Sequence, residues 1–321
     1  VTKTLLQIVQ TAQAELGLTQ SATVAGNSDV TTVQMFALAN RCLDELRRMA
    51  RWTSMQSEFD MAVPAAVTTT GNMQAGSAII TNIPNTSSLT PATAWAVQGT
   101  GLLQASRIQT VDSATQVTLN MRNTNTADVN GSVIVFGQDT YAMPTDFDWF
   151  NNRTMWDRTN RWELLGPDSP QLDQWHRSGI VAVGPRRHYR KIGPTGTSFR
   201  IWPAPFEITQ PLQLVFEYLT INAVAVHGGT TYAQNFVNDD DIPLLDDQSV
   251  IMGIKWMFWE IKGFGSYATA QGRWVDYVNR LIARDGAAPT LQLAKRMNPI
   301  FLSPSNVQDG FFPGPSGPNT G

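Results

Sequence analysis

The spacing of apolar residues changes period along the chain. Leu5, Ile8, Val9, Ala12 and Leu16 step by three and four, and Gly17 follows, so the spacing predicts a helix that stops there. After a polar linker at 19–29, Thr31 and Gln34 read as a capping box opening a second helix with the stripe Phe36, Ala39, Leu43, Leu46 and Ala50. Ile251, Ile254, Phe258 and Ile261 predict a third helix, starting near Asp246 and Asp247 and ending at Gly263 and Gly265. Trp274, Tyr277 or Val278, and Leu281 predict a fourth, to about Arg284. Each stripe needs a partner, so early and late helices are expected to pack on one another.

Between them the period falls to two. Residues 77–83, 94–98, 107–111, 116–121 and 132–136 are short strand candidates, and 68–71 reads as a turn. A second β region is expected at 179–184, 199–203 and 212–221, with an acidic loop at Asp239, Asp240 and Asp241. The expected fold class is α+β: a helical bundle core from the N- and C-terminal helices, with inserted antiparallel β domains and an extended C-terminal arm. Its parts are N-terminal helices 1–60, an inserted β module 61–140, an aromatic loop with a second β region 141–245, C-terminal helices 246–286 and the arm 287–321. Residues 287–321 are Pro-rich, with apolar clusters at Pro299, Ile300, Phe301 and Leu302 and at Phe311 and Phe312. A solvated end and a docking arm both stay open; the clusters favour the arm, because a purely solvated tail has no use for them.

Composition narrows the function classes. The chain has 321 residues, 42% hydrophobic, which is enough for real cores. Charged residues are 15%, below the usual ~25%, and the formal net charge is −3. That balance argues against duplex DNA binding by phosphate neutralisation. Cys42 is the only cysteine, so neither an internal disulfide nor a cysteine metal site is available. In its apolar stripe it reads as a buried, inert thiol. No signal peptide and no membrane span are expected, since no apolar run approaches about 18 residues.

Little in the sequence suggests chemistry. Asp173, His176 and Ser178 supply the residue types of a triad, but they sit too close together and lack an oxyanion-hole glycine pattern. His176, His188 and His227 look too scattered for a metal site. Asp239–Asp241 read as helix-capping or solvated carboxylates. Arg41, Arg47, Arg48 and Arg51 read as a solvated face of the second helix. Arg186, Arg187, Tyr189, Arg190 and Lys191, with His188 among them, form the strongest basic cluster. Nucleic acid, an acidic neighbour reached by a hairpin tip, and a merely solvated turn all stay open for it. No enzyme activity and no cofactor are expected.

The stretch 141–202 holds five of the ten tryptophans. Its motifs are Tyr141, Pro144, Asp146 and Phe147; Trp156 and Asp157; Arg161 and Trp162; Leu164 to Pro167; and Gln174 with Trp175. They continue in Phe199 to Pro203, Phe216 to Tyr218, Gly253 to Trp256 and Asp285 to Pro289. As a set this resembles the tail adaptor proteins of tailed bacteriophages, the head-to-tail connector subunits seen most often in short-tailed phages. Residues 77–120 resemble a separate β module that recurs in phage structural proteins.

The resemblance implies a virion structural protein at the head–tail junction, made in the bacterial host cytoplasm. Its implied partners are the portal protein, the tail nozzle protein and further copies of itself in a ring, typically a dodecamer. DNA passes through the ring's channel toward ejection without sequence-specific binding, and no membrane is involved. The C-terminal arm would engage the portal. Trp156, Asp157, Arg161 and Trp162 become scaffold residues that fix a loop, and the turn at 186–191 the candidate for direct partner contact. The alternative is another tail component, a nozzle or fibre-attachment protein that binds through its β module, with a tail fibre among its partners.

Overall fold

Gln56–Val63 (QSEFDMAV) alternates sides along its length and pairs with all but the last residue of Leu212–Thr220, from Gln56 opposite Leu219 to Val63 opposite Leu212. On its other edge Leu212–Thr220 receives Phe147–Phe150 and Trp156–Asp157, and Trp162–Glu163 extends the sheet. Side chains from this sheet and its neighbours interlock as rings: Phe216 lies 5.4 Å from Phe59 and 5.1 Å from Phe150, and Phe150 lies 5.3 Å from Tyr189. Such pairs each add about 0.5–1.5 kcal/mol beyond the area they bury. This is one sheet of a computed structural model that describes residues 2–178, 186–193 and 196–286.

Among the described residues the strands make four antiparallel sheets. A six-stranded sheet runs in the order Trp95–Gly99, Val129–Gln138, Val67–Met73, Ile79–Thr81, Gln116–Leu119, Ile108–Ser113. A three-stranded sheet orders His188–Ile192, Ser198–Trp202 and Thr140–Ala142. A small fourth sheet joins Tyr232–Ala233, Val224–Ala225 and Ile242–Pro243.

Five helices are described: α1 (Leu5–Glu15), α2 (Val30–Met49), α3 (Pro170–His176), α4 (Asp247–Lys262) and α5 (Tyr267–Asp285). α1 opens on a capping box in which Thr4 accepts from the Gln7 N–H and the Gln7 side chain accepts from the Thr4 N–H. α2 is capped by Asp29, which accepts from the Thr32 N–H at 2.9 Å, so the helix starts earlier than the pair Thr31 and Gln34 suggests. Its buried face runs through Met35, Leu38, Ala39, Cys42, Leu43 and Leu46, while Phe36 is only partly buried. α4 ends at Gly263 in the left-handed region, φ 74°.

The expectation of a helical bundle core with inserted β domains is overturned. The described chain is mostly antiparallel sheet, and two of its three apolar clusters belong to strands. The third gathers α1, α2, α4 and α5, yet it also takes in Leu219 near the end of the long strand, Ala223 beyond it and Val224 of the small sheet. The helices therefore cover one end of a β framework. Helical periodicity survives in sequence because each helix is amphipathic. Many of the strands are only two to five residues long, too short for a period of two to stand out. Residues 68–71, expected as a turn, lie inside Val67–Met73, where a Cβ on Gly71 would stand 2.7 Å from Ile134 and 2.8 Å from Ile80. That glycine marks close packing between strands. The strand expected at 179–184 and the arm residues Pro299, Ile300, Phe301, Leu302, Phe311 and Phe312 lie outside the described residues.

Candidate functional site

The motif residues of 141–202 build one supported framework. Asp146 sits before Phe147–Phe150 and ties it to the long strand, accepting from Tyr218 Oη at 2.9 Å and Thr220 Oγ1 at 2.7 Å. Pro144 is partly buried just ahead of it, and its carbonyl accepts from the Phe147 N–H. Asp157, buried, accepts from the Asn160 backbone N–H at 2.9 Å and its side-chain amide at 2.8 Å, closing the turn to Trp162–Glu163. Arg161 takes a positive φ of 61° in that turn and is exposed. Trp156 is partly buried opposite Val215 and Glu163. Tyr141 is buried against Phe199, and Trp202 lies buried beneath the Arg177 guanidinium, 5.5 Å from the ring centre. Burial pushes the Tyr141 phenol well above its ordinary value, so it works as a neutral donor to the Gln138 carbonyl.

Other aromatics of the stretch face outward. Trp149 and Trp175 are each 54% exposed and Trp162 is 37% exposed. Lys191 lies over Phe147 at 4.7 Å and reaches Trp149 at 6.0 Å. Exposed large rings with a cation beside them suit a contact surface.

The basic cluster is not a hairpin tip. His188–Ile192 is a strand paired with Ser198–Trp202, and Tyr189 is fully buried in it, its phenol pushed up to about 12 by burial and then by Glu163 and Asp168. Arg187 pairs with Glu207 and, at 3.8 Å, Asp157; Arg190 pairs with Asp173 at 2.9 Å. Arg186 is partly buried at the head of the strand. Two of the expected contact arginines thus hold their own fold together. On α2, Arg41 pairs with Glu45, Arg48 with Asp44, and Arg47 with both Asp44 and Asp148, which bridges the helix to Phe147–Phe150.

Asp173, His176 and Ser178 do not form a relay. Asp173 is held by Arg190 and Arg177, and Ser178 Oγ donates to the Trp175 carbonyl at 2.7 Å. The acidic loop is an organiser of backbone. Asp239 accepts from the Val24 and Ala25 N–H groups at 2.9 and 2.6 Å. Asp241, fully buried, accepts from the N–H groups of His227, Val237 and Asn238 at 3.1, 2.7 and 2.7 Å. The cap of α4 is instead Asp246. Exposed His227 is held protonated to a higher pH than usual by its hydrogen bond to Asp240.

The histidines, judged too scattered in sequence, are not all scattered in space. Residues 165–168 run beside the strand at 187–189 through three backbone bonds of 2.9 Å: Leu165 to the Arg187 carbonyl, Tyr189 to the Leu165 carbonyl, and Asp168 to the Tyr189 carbonyl. Gly166 lets this approach happen, since a Cβ there would stand 2.5 Å from the Tyr189 oxygen. Asp168 is thereby set beside His188, and α3, capped by Ser169 with Pro170 in its first turn, returns His176 to the same place. The two imidazole centres lie 4.3 Å apart. No period or motif encodes this cluster; its signal was an aspartate and two histidines flanking a short helix and a strand.

No protein-family model matches the chain. No curated protein matches it either. Among the described residues no helix is long and apolar enough to cross a membrane.

Proposed function

We propose that this chain is a structural subunit of a bacteriophage head-to-tail connector ring, joining portal to tail nozzle and continuing the DNA channel. The observation that carries the reading is the behaviour of the adaptor-like motif residues. Asp146, Asp157, Tyr141, Phe216 and Tyr218, spread over many residues of sequence, converge on one hydrogen-bonded aromatic framework, while Trp149, Trp162 and Trp175 project from the same stretch into solvent. A framework that displays large rings is what a subunit needs when most of its partners are protein surfaces. A net charge of −3 is compatible with DNA that must slide past without sticking. The role is mechanical, with no reaction assigned to any residue.

Cryo-electron microscopy of the assembled particle tests this. Density for the chain between portal and nozzle is expected; density for it anywhere else in the particle overturns the reading.

One observation favours the alternative of a nozzle or fibre-attachment protein. The end of the strand Trp95–Gly99 and the loop after it, to residue 105, face Trp202, Pro203, Phe206 and Glu207 across an open groove. A groove that mixes Leu102, Leu103 and Phe206 with Gln98, Gln104 and Glu207 can take an extended ligand. Binding of the whole chain to a glycan array would favour that reading, and silence there favours the connector.

A further inference from the structure

We infer that Asp168, His176 and His188 form a binding site for one divalent transition-metal ion of the zinc class, which fastens α3 to the strand His188–Ile192. Nδ1 of His188 lies 3.2 Å from Asp168 Oδ2 and 3.3 Å from Oδ1, and Nδ1 of His176 lies 3.3 Å from Oδ2. Charge-assisted hydrogen bonds to a carboxylate normally close to about 2.7–2.9 Å, so these contacts are long for that role. They are the right length for the edges of a coordination tetrahedron. Metal–ligand bonds of about 2.0–2.1 Å put neighbouring ligand atoms about 3.3–3.4 Å apart. The three candidate ligand atoms all lie within 4.8 Å of one another.

A second observation points the same way. His176 is 7% exposed, and among the described residues its buried Nδ1 has no hydrogen-bond partner although it faces Asp168. A buried ring nitrogen left unbonded is destabilising, and a metal ion would remove that penalty. Neighbouring cations do not fill this role: Arg177 and Arg190 pair with Asp173, and Arg187 with Glu207 and Asp157. Two imidazoles and one carboxylate form a nitrogen-rich, borderline donor set. It suits zinc or cobalt(II) with water in the fourth position, and suits calcium or magnesium poorly.

The cluster at His227, Asp240 and Asp241 is a weaker candidate. His227 is already hydrogen-bonded to Asp240 at 2.6 Å, and both Asp241 oxygens are taken by backbone N–H groups. It serves as an internal control.

The test uses the full chain, stripped of metal by chelator dialysis and titrated with cobalt(II) and then zinc. Saturable uptake of one ion per chain is expected, with the intense visible absorption of tetrahedral cobalt, its displacement by zinc, and a zinc-dependent rise in Tm. The double variant His176→Ala/His188→Ala and the isosteric Asp168→Asn are expected to weaken zinc binding about 100-fold or more and about 10-fold or more respectively. His227→Ala should bind as the parent does. Far-UV circular dichroism of each metal-free variant checks its folding, and the parent's stoichiometry and cobalt spectrum stand whether or not a variant folds. Absence of saturable binding by the parent, an octahedral cobalt spectrum, or loss of binding in His227→Ala but not in Asp168→Asn overturns the inference.

Discussion

Asp241 is the clearest case of one side chain holding a loop. Burial alone would raise its carboxyl pKa, but the N–H groups of Asn238, Val237 and His227 outweigh that and hold it below the ordinary value of 3.8. Because the folded value is depressed, the stabilisation is full above the unfolded pKa of about 3.9 and is lost as pH falls through that value toward the folded one. Asp241→Ala should cost about 1–3 kcal/mol at neutral pH, since three part-buried N–H groups lose a charged acceptor. Asp241→Asn keeps the shape and should cost less. In urea unfolding at a series of pH values, the gap between parent and Asp241→Asn should shrink below about pH 4. A gap independent of pH would remove the carboxylate's charge from the account. In the sequence the three consecutive aspartates suggested a helix cap. Only the folded loop shows that the carboxylates of two of them accept from loop backbone, while their main-chain carbonyls accept from the Leu5 and Leu6 N–H groups at the start of α1.

At the scale of elements, α4 shows what pattern can and cannot reveal. Ile251, Ile254 and Phe258 are buried as their spacing predicts, but Ile261, on the same stripe, is 51% exposed because it falls in the last turn, outside the helical cluster. The residue that sets the packing is Gly253, which no period singles out. A Cβ there would stand 2.1 Å from Cys42 Sγ on α2 and 3.3 Å from Trp274 Nε1 on α5, so three helices meet at this point. Ala favours a helix over Gly by about 1 kcal/mol, yet overpacking a closed contact costs about 1–3 kcal/mol or more. Gly253→Ala should therefore lower the unfolding midpoint, and Gly253→Ala/Cys42→Ala should recover much of the loss relative to Cys42→Ala alone. A stabilised single variant would show that the helices are not in this contact. Strands hid for a different reason. Gln56–Val63 and Val67–Met73 are strands chiefly through their pairing with distant partners, and a window of eight residues does not contain those partners.

For the molecule as a whole, the question is what couples the six-stranded sheet to the rest, since its apolar cluster is separate from the aromatic one. The chain passes from one sheet to the next through a single residue, Asp139, between Val129–Gln138 and Thr140–Ala142. Its N–H donates to the Ala94 carbonyl at 3.0 Å, and its carbonyl accepts from the Ile201 N–H at 2.8 Å. Its buried carboxylate pairs with Arg107 of the six-stranded region and lies 4.0 Å from Arg200 of the three-stranded sheet. Burial pushes the Asp139 carboxyl up despite both arginines, and burial followed by the charge of Arg107 lowers the Arg200 guanidinium to about 10. Desolvation is thus a large opposing effect, and this joint gains geometry more than energy. The two kinds of substitution separate these roles. Asp139→Ala strands Arg107 without its counter-charge and should cost about 3–5 kcal/mol in urea unfolding. Arg107→Met/Asp139→Leu removes both charges and should recover most of that loss. If the joint's value lies in orientation, the recovered double variant should still show faster amide exchange at residue 139, whose N–H donates to the Ala94 carbonyl, and at Ile201, whose N–H donates to the carbonyl of residue 139. Equal exchange in parent and double variant would mean that backbone pairing alone sets the angle between the sheets.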